Sequence, residues 1–298
     1  HLRRYRADLV HVAFCWNTYG ASALWLARHC RLPSVISVHN AFPPAELHAW
    51  YRPLLRDAFH SVRGIYAVSE SAMQHFLALY QDYIQPATRL QVIPNSVDLE
   101  RFSPSPQGRA AARRRLGLPG NSLVLGCVAR LAAQKRPQAL IRLFCSLLPE
   151  FPDLYLVLVG SGPLNDELHR QAHRDGVALR VIFTGYSAAV DTLLPAFDLH
   201  LLLSRNEGFG ISTIEAMACG VPAVGTDVPG TADILRGSGG GLLVPLDDEA
   251  AAAEAVAGLL RDPARRRAMA LCARAEMEAH YSDARLQKQL LEFYSGLI

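Results

Sequence analysis

Short apolar runs alternate with longer amphipathic ones along the whole 298-residue chain, and this alternation restricts the fold more than any other feature. Residues 9–14, 34–38, 64–68 and 90–93, then 122–128, 154–159, 180–183, 198–203 and 222–225, have the length and apolar content of buried strands. The segments between them are long enough for crossover helices, so the chain reads as successive βαβ units with parallel sheets. Ser69 is a good helix N-cap, and Ala139, Leu140, Leu143, Phe144, Leu147 and Leu148 share one helix face. A last apolar stripe is formed by Leu286, Leu290, Phe293 and Leu297. Between Asp98 and Gly120 the alternation breaks into a Pro-, Ser- and Gly-containing stretch, an Arg/Ala-rich segment and Leu118-Pro119-Gly120, which marks a linker. Two doubly wound α/β domains follow, with a ligand expected in the crevice at the carboxyl ends of the strands.

Composition excludes several classes. Half the residues are hydrophobic and 19% are charged, which is globular and rules out disorder over most of the chain. A net charge of +3 is too small to indicate a nucleic-acid partner, and Arg113-Arg114-Arg115 and Arg265-Arg266-Arg267 are expected to be solvated helix faces. No window reaches the roughly 18 apolar residues of a membrane span. His1-Leu2-Arg3-Arg4-Tyr5 lacks the apolar run of a signal peptide, so a cytoplasmic location is expected. The six cysteines form no Cys-x-x-Cys pair and sit among apolar neighbours as reduced core residues would, and the histidines lack ligand spacing. No bound metal is expected. The chain starts with histidine and reaches a strand pattern almost at once, as a fragment would.

Chemistry concentrates after two of the strands. Ser204 to Pro222 contains Glu207, Gly208, Phe209, Gly210, Ile211 and Glu215, running from strand through loop into helix. Its glycines permit close backbone approach, and the first-turn N–H groups favour an anion such as phosphate. Glu215 lies among apolar neighbours and should accept hydrogen bonds, for instance from ribose hydroxyls; the alternative is that Glu207 caps the helix and Glu215 pairs with an arginine. Arg130 and Lys135 flank another strand-to-helix turn, closed by Pro137 at a first helical position. A fork and a point charge suit a diphosphate; two surface cations without a shared ligand are the alternative. Gly160-Ser161-Gly162-Pro163 lacks the third glycine of a dinucleotide fingerprint and reads as a tight turn, which disfavours a nicotinamide dehydrogenase. No nucleoside-triphosphatase loop or hydrolase nucleophile elbow is present.

These motifs together resemble the family-4 retaining glycosyltransferases of the GT-B fold, the glycosyl transferases group 1. The matching features are Ile93-Pro94-Asn95-Ser96-Val97-Asp98 with Phe102 and Pro104, the Arg130/Lys135 turn, Val159 to Pro163, Phe183-Thr184-Gly185, the Glu207/Glu215 pair, and Gly225-Thr226-Asp227 ahead of Gly241 to Pro245. The resemblance implies two Rossmann-like domains facing a cleft: an acceptor-side domain with its linker (1–119), a nucleotide-sugar donor domain (120–281), and a final helix (282–298) returning to the first. It implies donor contacts at Arg130, Lys135, Gly208, Phe209, Gly210, Ile211 and Glu215, with catalytic positions at Glu207 and His39. For His39, which ends Ser34-Val35-Ile36-Ser37-Val38, a purely structural role is the alternative. Tyr186 is a candidate neighbour of the base or an ordinary exposed turn residue. The implied reaction moves a sugar from a nucleotide-diphosphate sugar to a glycan, lipid-linked or small-molecule acceptor, with retention, no cofactor and no metal, in the cytoplasm or peripherally at the inner face of the membrane. Oligomeric state, base and sugar stay open. The family's first strand and glycine-rich loop have no counterpart, so the N-terminal domain is expected to be incomplete, and a catalytically silent nucleotide-sugar-binding module is the competing reading.

Overall fold

The computed structural model describes residues 7–15, 20–41 and 46–297; the segment His1–Tyr5 discussed above lies outside them. In chain order the first part contains β1 (Val10–Phe14), α1 (Ala21–His29), β2 (Ser34–Val38), α2 (Arg52–Phe59), β3 (Val62–Ala67), α3 (Glu70–Tyr80) and β4 (Arg89–Val92). Next come α4 (Pro106–Arg115), β5 (Leu123–Val128), α5 (Pro137–Leu147), β6 (Leu154–Val159), α6 (Asn165–Arg174), β7 (Val181–Gly185) and β8 (Leu199–Leu202). The chain continues through α7 (Ile211–Ala218), β9 (Ala223–Thr226), α8 (Thr231–Leu235), β10 (Gly241–Val244), α9 (Glu249–Arg261), α10 (Pro263–His280) and α11 (Asp283–Ser295). All strand pairs in the two sheets are parallel. The nine strands expected from the sequence form within a residue or two of their positions; β10 was not expected as a strand.

Contacts divide the chain into two compact units, the first comprising residues 1–95, 207–209 and 284–298, the second residues 96–206 and 210–283. Unit 1 holds a four-stranded sheet in the order β1-β2-β3-β4. Every residue of β2 is buried, as expected of an interior parallel strand. On one side Phe14, Phe59, Phe76 and Tyr80 form a fully buried aromatic cluster, with Phe59 and Tyr80 stacked at 5.5 Å. Elsewhere Val35, Tyr66 and Ile93 receive Phe293, flanked by Leu286, Leu290 and Leu297, so the final apolar stripe packs within this unit. Ser69 caps α3 by accepting a hydrogen bond from Ala72 N–H at 3.1 Å.

Unit 2 holds a six-stranded sheet in the order β10-β9-β8-β5-β6-β7. Its main core joins Leu125, Leu156, Leu158, Leu199 and Leu201 to the apolar face of α5, in which Ala139, Leu140, Leu143, Phe144 and Leu147 are buried. Pro137 sits in the first turn of α5, where its missing N–H costs nothing.

Residues 98–119 make their contacts in unit 2 and contain α4, with Ser105 as N-cap and Pro106 in the first turn. Arg113 corrects the expectation of a solvated arginine face: only 6% of it is exposed. Its guanidinium donates to the carbonyls of Gly120 at 2.8 Å and Ser122 at 2.7 Å and pairs with Asp198 at 3.1 Å. Asp198 also accepts from Arg109 and from Val124 N–H, each at 2.8 Å, so one carboxylate fixes α4 and the start of β5. The cysteine reading also needs correcting, because Cys15 and Cys272 are exposed whereas Cys127 and Cys219 are buried. No helix among the described residues is long and apolar enough to cross a membrane.

His200, on β8, is fully buried, and neither ring nitrogen has a hydrogen-bond partner among the described residues. Burial pushes its pKa down to about 4. The folded chain therefore resists protonation that the unfolded chain accepts below its usual value near 6.5. Stability is full above that value and is lost as pH falls towards 4, by about 3 kcal/mol in total. His200→Leu is expected to flatten the dependence of urea midpoint on pH between 6.5 and 4; an unaltered slope would assign the acid sensitivity elsewhere.

Candidate functional site

In unit 2, β6 and β7 follow β5 on one side of the sheet, while β8, β9 and β10 lie on the other. The crossovers thus diverge between β5 and β8, and a doubly wound sheet opens a crevice at that place beyond the strands' carboxyl ends. Arg130 and Lys135 lie in the connection leaving β5, Arg130 exposed and Lys135 half-buried in a short 3-10 turn. That connection is tied to the one leaving β8: Arg205 N–H donates to Gln134 O at 2.8 Å, and Gln134 Nε2 donates to Asn206 O at 2.9 Å. Two loops from the neighbouring central strands are therefore held side by side, with Arg130 and Lys135 on one of them.

A cavity of about 750 Å³ opens beside Arg130, lined also by Gly160, Ser161, Tyr186, Ser187 and Val190. Gly160 and Gly162, read from the sequence as a tight turn, have a further use here. A side-chain carbon at Gly160 would stand 2.0 Å from Ala129 O, and one at Gly162 would stand 2.3 Å from Leu131 O. Only glycine lets this loop lie against the Arg130 backbone, where Leu131 N–H donates to Ser161 O at 3.0 Å. Tyr186, 80% exposed, follows Phe183-Thr184-Gly185 at the end of β7 and presents its ring at the cavity wall.

The loop from β8 leads into α7, whose N-cap is Gly210 in the left-handed region at φ 96°, with no side-chain cap and no acidic residue in the first turn. The leading N–H groups of the exposed Ile211 and of Ser212 are thus open to an anion, while Thr213 N–H already donates to Gly210 O at 2.9 Å. Glu215, in the second turn, is half-buried, and its carboxylate has no hydrogen-bond partner among the described residues. Burial raises its pKa; the nearby Arg101 guanidinium pulls the other way, and Asp191 adds to the rise. The Arg101 guanidinium is itself bonded to Asp191 at 2.6 Å, and no ion pair joins it to Glu215. A partly desolvated carboxylate with unfilled acceptor positions is suited to ligand hydroxyls. Arg101 owes its place to the segment from Asn95 to Phe102: Asp98 Oδ1 accepts from Glu100 and Arg101 N–H at 3.0 Å, and Phe102 is buried.

Glu207, Gly208 and Phe209 belong to unit 1 although both flanking residues belong to unit 2. Glu207 is 5% exposed. Gly208 O accepts from Ser69 Oγ at 3.1 Å, so Ser69 caps α3 and holds this segment at once. Gly208 lies so close to the end of β2 that an added carbon would fall 2.2 Å from His39 O and 2.8 Å from Asn40 Cα. Glu207 and His39, both named from the sequence, are thereby brought to one place within unit 1. His39 is exposed at the residue level, its Nε2 is 2.9 Å from Ser37 Oγ, and partial desolvation of the ring lowers its pKa. Ser37 and Asn40 were missed by sequence reasoning, with a serine two residues before His39 as the available signal, and Ser69 was read only as a cap.

The glycosyl transferases group 1 model matches residues 108–276, and the glycosyltransferase family 4 model matches residues 1–101. The GDP-mannose-dependent alpha-(1-6)-phosphatidylinositol monomannoside mannosyltransferase of Mycolicibacterium smegmatis is 34% identical over 233 residues, 74% of this chain and 60% of that protein. The D-inositol 3-phosphate glycosyltransferase of Corynebacterium urealyticum is 34% identical over 230 residues, 73% of this chain and 53% of that protein. The chain thus spans just over half the length of these relatives. Among solved structures, Anabaena Alr3699/HepE in complex with UDP-glucose has 25% identity and a TM-score of 0.82 over 97% of this chain and 79% of that one. A glycosyltransferase from Rickettsia africae superposes with a TM-score of 0.85 at 17% identity over 99% of this chain and 78% of that one.

Proposed function

The chain belongs to the glycosyl transferases group 1 family and has the GT-B fold, and on that footing we propose that it transfers a sugar from a nucleoside-diphosphate sugar to an acceptor hydroxyl. The observation that carries this is the β5/β8 switch point of unit 2, where the Arg130/Lys135 loop is bonded to the loop that opens α7. In this reading Arg130, Lys135 and the N–H groups of Gly210 and Ile211 bind the diphosphate. Glu215 accepts from the ribose, and the base enters the cavity beside Tyr186. Glu207, Gly208 and Phe209 face the transferred sugar, with His39.

The chemistry follows from the charges. Breaking the anomeric C–O bond leaves positive character on the sugar and negative charge on the departing diphosphate, which the two cations and the α7 N–H groups stabilise. The acceptor oxygen bonds to the anomeric carbon on the face the leaving group vacates, and its proton passes to a departing phosphate oxygen. The configuration is retained. Cations of the protein supply the charge that a metal ion would otherwise supply, so no metal is needed. The acceptor is a glycan or lipid-linked hydroxyl, with peripheral membrane contact in the second case; the names of the two relatives, a phosphatidylinositol mannoside and an inositol phosphate enzyme, support that class. Those names also favour a transferase over a silent binding module.

The two glutamates separate experimentally. Glu215→Gln is expected to weaken nucleoside-diphosphate binding about tenfold, on the scale of one charge-assisted hydrogen bond. Glu207→Gln is expected to lower transfer while nucleotide affinity changes by less than about twofold. Calorimetry and rate measurements giving the reverse pattern would exchange the two roles.

A further inference from the structure

Three polar side chains in unit 1 lead to His39 from behind. Tyr294, on α11, has its hydroxyl 3.2 Å from Nδ1 of His11, on β1. His11 Nε2 lies 2.7 Å from Ser37 Oγ, on β2, and the same oxygen lies 2.9 Å from His39 Nε2. Ser37 is fully buried, so its hydroxyl has no water to turn to. The Tyr66 ring, on β3, packs beside His11 with the ring centroids 5.9 Å apart. His39 Nδ1 has no hydrogen-bond partner among the described residues.

One serine hydroxyl between two imidazole nitrogens has a single proton, so it can donate to only one of them. A phenol donates to imidazole more readily than it accepts from it, which sets the direction: Tyr294 O–H donates to His11 Nδ1. His11 then carries its proton on Nε2 and donates to Ser37 Oγ. Ser37 in turn donates to His39 Nε2, and the His39 proton is left on Nδ1. Desolvation lowers the pKa of both rings, and each ring's charge would oppose the other's, so the neutral forms assumed here are the favoured ones.

We propose that Tyr294, His11 and Ser37 are positioning residues that hold His39 as the neutral Nδ1–H tautomer, so that it offers a hydrogen-bond donor to the sugar-transfer site and cannot serve there as a base. The use of that donor rests on the transferase reading above; the tautomer itself does not. Unconstrained neutral imidazole prefers the Nε2–H form, so the proposed state is distinguishable from an unorganised ring. Its pattern is also opposite to that of His11.

The test is the 15N chemical shifts of both rings in the ligand-free protein at pH 8. The expected spectrum has His39 protonated at Nδ1 and His11 protonated at Nε2. Tyr294→Phe keeps the ring and removes only the hydroxyl; the Nδ1–H to Nε2–H ratio at His39 should then fall by roughly fivefold, the effect of one ordinary hydrogen bond. Ser37→Ala should shift His39 in the same direction with no further change on adding Tyr294→Phe. His39 protonated at Nε2 in the parent protein, or a ratio unmoved by Tyr294→Phe, would overturn the proposal. Loss of nucleotide binding in a separate titration would remove the transferase reading and leave the tautomer result intact.

Discussion

Replacing Gly208 with alanine is expected to reduce sugar transfer by at least about 100-fold. The added carbon would lie 2.2 Å from His39 O and 2.8 Å from Asn40 Cα, and both are backbone atoms that cannot rotate away. Either the segment carrying Glu207 or the end of β2 carrying His39 has to move. These are the two residues assigned to the transferred sugar, and a shift of about 1 Å between reacting groups can cost on the order of 100-fold in rate. The same displacement would stretch the 3.1 Å bond from Ser69 Oγ to Gly208 O. Gly120→Ala is the matched control: a carbon there meets nothing within 4 Å and the backbone is not left-handed, so transfer should be unchanged. A Gly208→Ala rate within threefold of the parent would show that the approach of Gly208 to His39 has no part in the reaction.

Much of the fold was legible because parallel strands buried on both faces leave apolar runs, and β2, β5, β6 and β8 are such runs. β10 was not, because three of its four residues are only half-buried and it follows a glycine-rich turn, so neither periodicity nor composition marks it. The start of α4, Ser105 followed by Pro106, fell in the stretch read as a linker, and its arginines suggested solvent. What buries Arg113 is Asp198 and the carbonyls of Gly120 and Ser122. A partner 85 residues away in sequence leaves no local trace.

The candidate site divides in the same manner. Arg130, Lys135 and Glu207 stand at strand-to-helix turns and Glu215 in the second turn of the helix that follows, where chain direction and residue type point to anion and hydroxyl binding. Residues acting through long-range approach were not readable. Ser69 showed itself as a cap and not as the donor to Gly208 O, 139 residues away. Gly160 and Gly162 looked like punctuation, whereas their lack of a side chain is what admits the backbone of Ala129 and Leu131. Ser37 is an unremarkable strand residue until the fold brings two imidazoles to its hydroxyl and α11 brings a phenol to the far nitrogen of one of them.

The second large effect is expected at the diphosphate. Arg130 and Lys135 each contribute a charge-assisted hydrogen bond worth roughly 1.5 to 3 kcal/mol, so removing both should weaken nucleoside-diphosphate binding by at least about 100-fold. Neither side chain belongs to the buried core. The most direct measurement is therefore calorimetric titration of the parent protein and the Arg130→Ala/Lys135→Ala variant with UDP, GDP and ADP, with and without a metal chelator. The parent is expected to bind at least one of the three, equally well in chelator, and the double variant to lose at least two orders of magnitude for that nucleotide. A parent protein that binds none of them, or a double variant that binds as the parent does, would contradict the assignment of the β5/β8 crevice as a nucleotide-sugar site.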